Sequence, residues 1–164
     1  MELSVYTALW FLPFAIPISL WAAWSDLKYM KIPNKAVLAL LGVFVVVGLV
    51  ALPFDAYLWR YLHFALVLVL GFALNMVGAI GAGDAKFAAA MAPFVAWGDV
   101  MQLLLVFAAV LLAAFLTHRL FRSVPAFRAF TPEWQSWDNK DFPMGFALGG
   151  TMIVYLIIGI AAGA

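Results

Sequence analysis

The 164-residue sequence contains no cysteine, and only 10% of its residues are charged. The missing thiol excludes a disulfide framework, a cysteine nucleophile and a Cys-ligated zinc site. So little charge beside 68% hydrophobic residues excludes an ordinary soluble domain, which needs far more polar surface. A net charge of +1 offers no broad basic field, so no nucleic-acid partner is expected. The two histidines, His63 and His118, cannot form the His-Glu-x-x-His pattern of a zinc protease, and no metal or cofactor is expected. A serine nucleophile has only Ser25 beside His118 to draw on, and no serine is flanked by glycines. Internal repeats, low-complexity linkers and the strand alternation of a membrane barrel are also missing.

What the chain has in abundance is apolar runs. Six hydrophobic segments cover about residues 5–24, 36–54, 62–80, 84–97, 100–118 and 144–163. In hydrocarbon each must satisfy its own backbone groups, so each is expected to be helical. The expected fold is an all-α polytopic membrane protein with six transmembrane helices, read as a single domain over 1–164. The start, "MELSVY", carries a glutamate and no Lys or Arg, so the first segment is expected to be a membrane span and not a signal peptide. If the N-terminus lies outside, the inner segments carry Lys28, Lys31, Lys35, Lys86, Arg119, Arg122, Arg128 and Lys140, and the outer ones only Arg60. That bias places the basic loops on the cytoplasmic side. Glu2, Asp55 and Asp99 fall in outer segments and have little say in orientation. His63 and His118 are expected near helix ends at the membrane interface.

The fourth segment is short. Asp84 to Trp97 is about 14 residues, roughly 21 Å of helix against a core of roughly 30 Å. Before it stands "GAIGAGDAKF", in which Gly78, Gly81 and Gly83 allow a non-helical dip and close approach. Asp84 is thereby held at a helix N-terminus inside the membrane boundary. Asp26 lies in "SDLKYMKIPN" at the inner end of the first helix, and Pro33 punctuates the turn into the second. The topology puts both aspartates at one leaflet. Two carboxylates a few ångströms apart cannot both ionise easily and share a proton. One can then take a proton from water while the other donates to a carbonyl oxygen, which hydrolyses an amide without a metal or a covalent intermediate. The bland reading makes each aspartate a helix cap or a lysine partner. On that alternative the chain is a scaffold or a channel or transport subunit, with the aspartates as caps or ion-path residues. Gly81, Gly83 and Lys86 are the expected substrate contacts. Lys86, two positions on, does not share the helix face of Asp84. The loop 119–143 reads either as a short interfacial segment on anionic headgroups or as a basic loop that fixes topology. Its acids Glu133, Asp138 and Asp141 are expected on a solvated surface.

Gly81-Ala82-Gly83-Asp84 resembles the Gly-x-Gly-Asp signature of intramembrane aspartyl proteases, and Asp26 followed by Ile32-Pro33-Asn34 resembles the other half of the type IV prepilin peptidase pattern. Lys86 fits a basic residue common after the second aspartate. Pro143-Met144-Gly145 with Gly149-Gly150 is similar to the glycine-rich final helix of that family. The resemblance implies catalytic Asp26 and Asp84 and a prepilin or pseudopilin substrate. It implies removal of a basic leader just after a glycine, at the cytoplasmic face of the bacterial inner membrane. Larger members carry a Cys-x-x-Cys zinc region and also methylate the new N-terminus. Without cysteine and without that length, this chain is expected to be a peptidase only, resembling the short form associated with Flp-type (tight-adherence) pili. Gly145, Ala147, Gly149 and Gly150 are expected to serve helix packing rather than chemistry.

Overall fold

A computed structural model describes residues 1–163. Among these the chain forms seven α-helices and no strand: α1 (Val5–Tyr29), α2 (Asn34–Ala51), α3 (Phe54–Met76), α4 (Ala82–Met91), α5 (Val100–Ser123), α6 (Pro125–Phe130) and α7 (Met144–Ala161). Three single 3₁₀ turns occupy Ala92–Phe94, Trp97–Asp99 and Gln135–Trp137. Helices α1, α2, α3, α5 and α7 are long and apolar enough to cross a membrane. The sixth expected segment is α4 with its 3₁₀ continuation. Its helix stops after ten residues, just before Pro93, which has no N–H to give and crowds the preceding turn. Pro13 and Pro17 do not break α1, which continues to Tyr29.

Local chemistry sets the helix ends. Ser4 caps α1, its Oγ accepting the Thr7 N–H at 3.1 Å. The Thr7 hydroxyl in turn donates to the Ala51 carbonyl at 2.8 Å and ties the start of α1 to the end of α2. At the other end of α3, Gly78 takes φ +75°. The Gly78 N–H donates to Asn75 O and the Ala79 N–H to Leu74 O, the paired closure that a left-handed glycine permits. The expected glycine dip is thus a helix stop, followed by a bend, followed by a new helix.

The buried centre is built from α1, α2, α4 and α7. Phe11, Leu40, Phe44, Phe87, Phe94, Met152 and Tyr155 are fully enclosed there, with the Phe11 and Phe94 rings edge to face at 4.7 Å. Helices α1 and α7 meet most closely. A side chain on Gly149 would come 2.6 Å from the Ser19 carbonyl oxygen, so the packing role expected for Gly149 holds. Helices α3 and α5 flank this centre, α3 against α4 and α5 against α7. Their outer faces are rich in exposed Leu, Val, Phe and Met. On a chain of this composition that is the lipid-facing surface of a multi-pass membrane protein.

Two residues expected in outer segments are built into the fold. Arg60 lies within α3, is 8% exposed, and donates to the Pro93 carbonyl at 3.1 Å. It thereby satisfies an acceptor near the point where α4 ends. Asp99 is 1% exposed and accepts from the Glu2 N–H at 2.6 Å, the Leu3 N–H at 3.0 Å and the Tyr155 hydroxyl at 3.0 Å. It joins the N-terminal segment, the start of α5 and α7 at one point. Asp99→Ala is expected to lower stability by about 2–4 kcal/mol, because the buried Leu3 N–H and Tyr155 hydroxyl and the partly buried Glu2 N–H lose their acceptor. Tyr155→Phe is expected to lower it by about 1–2 kcal/mol, because only the Ala96 N–H, which donates to its hydroxyl at 3.2 Å, is left unpaired. Thermal unfolding in detergent measures both, and equal losses would contradict this account.

A candidate active site at the ends of α1, α4 and α7

The polar feature at the opposite end of the bundle is a cavity of about 510 Å³. Asp26 borders it from the last turn of α1, and Asp84 borders it from the first turn of α4. The two residues stand far apart in the sequence. The fold joins them because α2 and α3 form a there-and-back hairpin between α1 and α4, which returns the chain to the same end. The other walls come from Met30–Ile32, from Gly78–Gly83, and from Asp141, Phe142 and Met144 ahead of and within the start of α7.

Asp26 is 5% exposed, and its Oδ2 accepts the Gly145 N–H at 2.7 Å. Gly145 is in the first turn of α7, where backbone N–H groups have no partner within the helix. The hydrogen bond and the helix end favour negative charge on Asp26, while its burial opposes it. A side chain on Gly145 would meet Asp26 Cβ at 2.9 Å and two Ile32 carbons at 3.0 Å. The expected packing role of Gly145 is therefore incomplete, since its N–H also binds a candidate catalytic carboxylate.

Asp84 folds back over the start of its own helix. A Cβ on Gly81 would come 2.6 Å from its Oδ2, so Gly81 is needed for this approach. Gly83 is under less pressure: a Cβ there would meet Ile32 at 3.5 Å, an ordinary contact. Ile32, 3% exposed, lies against both Gly83 and Gly145. The three short patches that stood apart in the sequence thus converge on one buried isoleucine at the wall of the cavity that both aspartates border.

Lys86 is exposed and does not border the cavity; the lysine on its wall is Lys31. The loop acids part company. Glu133 pairs with Lys28 at 2.6 Å and Asp138 with Arg128 at 2.7 Å, while Asp141 stands on the cavity wall. The loop reaches the cavity because it is anchored. His118 lies near the end of α5, as expected, and is 3% exposed because loop residues cover it. Trp137 stacks on its ring at 5.1 Å, and Phe142 meets it edge-on at 5.8 Å. A histidine at the end of an apolar run, followed about twenty residues later by a Trp and a Phe, was the available sequence signal, but spacing alone does not show stacking.

No curated protein and no solved structure matches the chain. The Type IV leader peptidase family does match it, over residues 13–118, a stretch that contains Asp26, Ile32, Gly81, Gly83 and Asp84 and covers more than half of the sequence. The chain belongs to the type IV leader peptidase family.

Proposed function

We propose that the chain is an aspartic endopeptidase that removes the basic leader of a prepilin or pseudopilin at the cytoplasmic face of the bacterial inner membrane. The observation that carries this reading is the shared cavity: Asp26 and Asp84 border one space at the ends of two helices. In the proposed reaction the ionised carboxylate takes a proton from water, and the water oxygen adds to the scissile carbonyl carbon. The protonated carboxyl gives its proton to the carbonyl oxygen. When the intermediate collapses, the C–N bond breaks, the leaving amine nitrogen takes the proton that the first carboxylate had gained from water, and the second carboxylate recovers its proton from a hydroxyl of the intermediate. The Gly145 N–H supports Asp26 as the ionised member at the start of the cycle.

The charge of the cavity supports a basic leader. Asp26, Asp84 and Asp141 face a single Lys31 on its walls, and an acid-rich cleft draws cationic segments. The eight basic residues of the proposed inner loops support the orientation with this end in the cytoplasm. Under this reading Gly83 leaves room for the substrate backbone, and Lys86, outside the cavity, touches substrate only beyond its rim.

The test uses the purified chain in liposomes with a prepilin whose basic leader ends in glycine, read by product mass. Shortening at the glycine is expected; an intact substrate at long incubation would remove the hydrolase reading and favour a scaffold. Within that assay the two glycines separate. Gly81→Ala is expected to lower kcat by about 100-fold, because the new methyl displaces the Asp84 carboxylate. Gly83→Ala is expected to fold normally and to raise KM roughly tenfold, the effect of a methyl where a peptide backbone approaches. The reverse pattern of kcat and KM would contradict both assignments.

A further inference from the structure

Helix α5 is longer than its apolar part. Its 24 residues extend roughly 36 Å. The uncharged run Val100–Thr117 already covers roughly 27 Å, close to one hydrocarbon core. The last turns, with Arg119 and Arg122, therefore reach headgroup level. There Val124 is extended and Pro125 starts α6 at its first position, so the chain turns a corner. A cavity of about 510 Å³ lies in that corner, with Arg122, Ser123 and Arg128 among its walls. From Val100 to Pro132 there are three arginines and no acidic residue. Beside the cavity, Leu120, Phe127 and Phe130 are 61%, 46% and 85% exposed.

We propose that this corner binds the headgroup of an anionic phospholipid. The arginines supply donors to the phosphodiester, and the exposed phenylalanines lie at the acyl boundary below it. Two neighbouring contacts are compatible with that role. Arg128 pairs with Asp138 at 2.7 Å, but both side chains are largely solvated, so the pair is weak and the other guanidinium donors stay free. Arg122 donates to the Asn139 carbonyl at 3.1 Å and likewise keeps donors in reserve. The exposed apolar side chains favour a lipid over free phosphate, which has no use for them. Arg122 is also linked to the active cavity: the Asn139 side chain accepts the Asp141 N–H at 3.0 Å, and Asp141 is on the cavity wall. The lipid site stands independently of the hydrolytic reading.

The test is native mass spectrometry of the full chain in detergent, titrated with phosphatidylglycerol or with phosphatidylcholine of the same acyl chains. Phosphatidylglycerol is expected to bind about tenfold more tightly, a difference of about 1.4 kcal/mol. The double variant Arg122→Gln/Arg128→Gln is expected to bring it down to the phosphatidylcholine level with unchanged helical circular dichroism. Equal binding of the two lipids by the parent chain would overturn the proposal without recourse to a variant. A preference that survives the double variant would place the site elsewhere, and full displacement by millimolar inorganic phosphate would make it a phosphate site rather than a lipid one.

Discussion

Asp26→Asn and Asp84→Asn are each expected to reduce leader cleavage by at least about 1,000-fold in kcat while leaving the protein folded. Asparagine keeps the size of aspartate but can neither take a proton from water nor hand one to a carbonyl oxygen. The fold has no need of either negative charge. In Asp26→Asn the side-chain amide still offers an oxygen to the Gly145 N–H, and replacing a desolvated carboxylate with a neutral amide removes a burial cost. Thermal unfolding of both variants is thus expected at or above the parent midpoint. Because the two groups act on one proton cycle, the double variant should be barely slower than either single one. Multiplicative losses would mean that the aspartates work separately. If either single variant cut at near the parent rate, that residue would be a helix-end carboxylate with a structural role, and the two-aspartate mechanism would fall.

The membrane class, the helical fold and the two aspartates were legible because their signals are local. Hydrocarbon demands internal backbone pairing, which makes a long apolar run a helix. Pro33 and the glycines around Asp84 mark chain direction changes within a few residues. What the sequence hid was non-local. Asp99 looked like an ordinary charge between two spans, yet it collects donors from residues 2, 3 and 155. Arg60 looked like a loop charge, yet a helix that starts at Phe54 carries it inward. His118 has no local motif, and its burial depends on a tryptophan and a phenylalanine delivered by a later loop. Asp141 is exposed, as its sequence context suggests, but nothing nearby in the sequence reveals that its loop lies along the cavity. The same limit applied to the final helix. Its small residues signalled close packing, and packing is what Gly149 does. That one of them also turns its N–H toward a residue 119 positions away is a fact of the assembled bundle.

Gly145→Ala is the variant in which that fact has the largest consequence. The added methyl would stand 2.9 Å from Asp26 Cβ and 3.0 Å from Ile32. Asp26 Cβ is fixed to the backbone of α1 and cannot swing aside, and Ile32 is buried between Gly83 and Gly145. The start of α7 must therefore draw back, lengthening the Gly145 hydrogen bond and turning the carboxylate. Overpacking of this kind costs about 1–3 kcal/mol of stability. A misplacement of about 1 Å costs about 100-fold in rate. Gly149→Ala supplies the control. Its methyl would come 2.6 Å from the Ser19 carbonyl oxygen and would pry apart the same two helices, but one turn farther from Asp26. Both variants are expected to lose stability. Only Gly145→Ala is expected to lose kcat in the molecules that remain folded, with KM little changed, because the substrate wall contributed by Gly78–Gly83 is untouched. If the two variants cleave at equal rates per folded molecule, Gly145 is a packing residue like its neighbour, and the N–H on Asp26 contributes nothing to the chemistry. If they divide as stated, the active site has a third backbone element beside the two aspartate segments, and α7 holds Asp26 in position for the proton it exchanges.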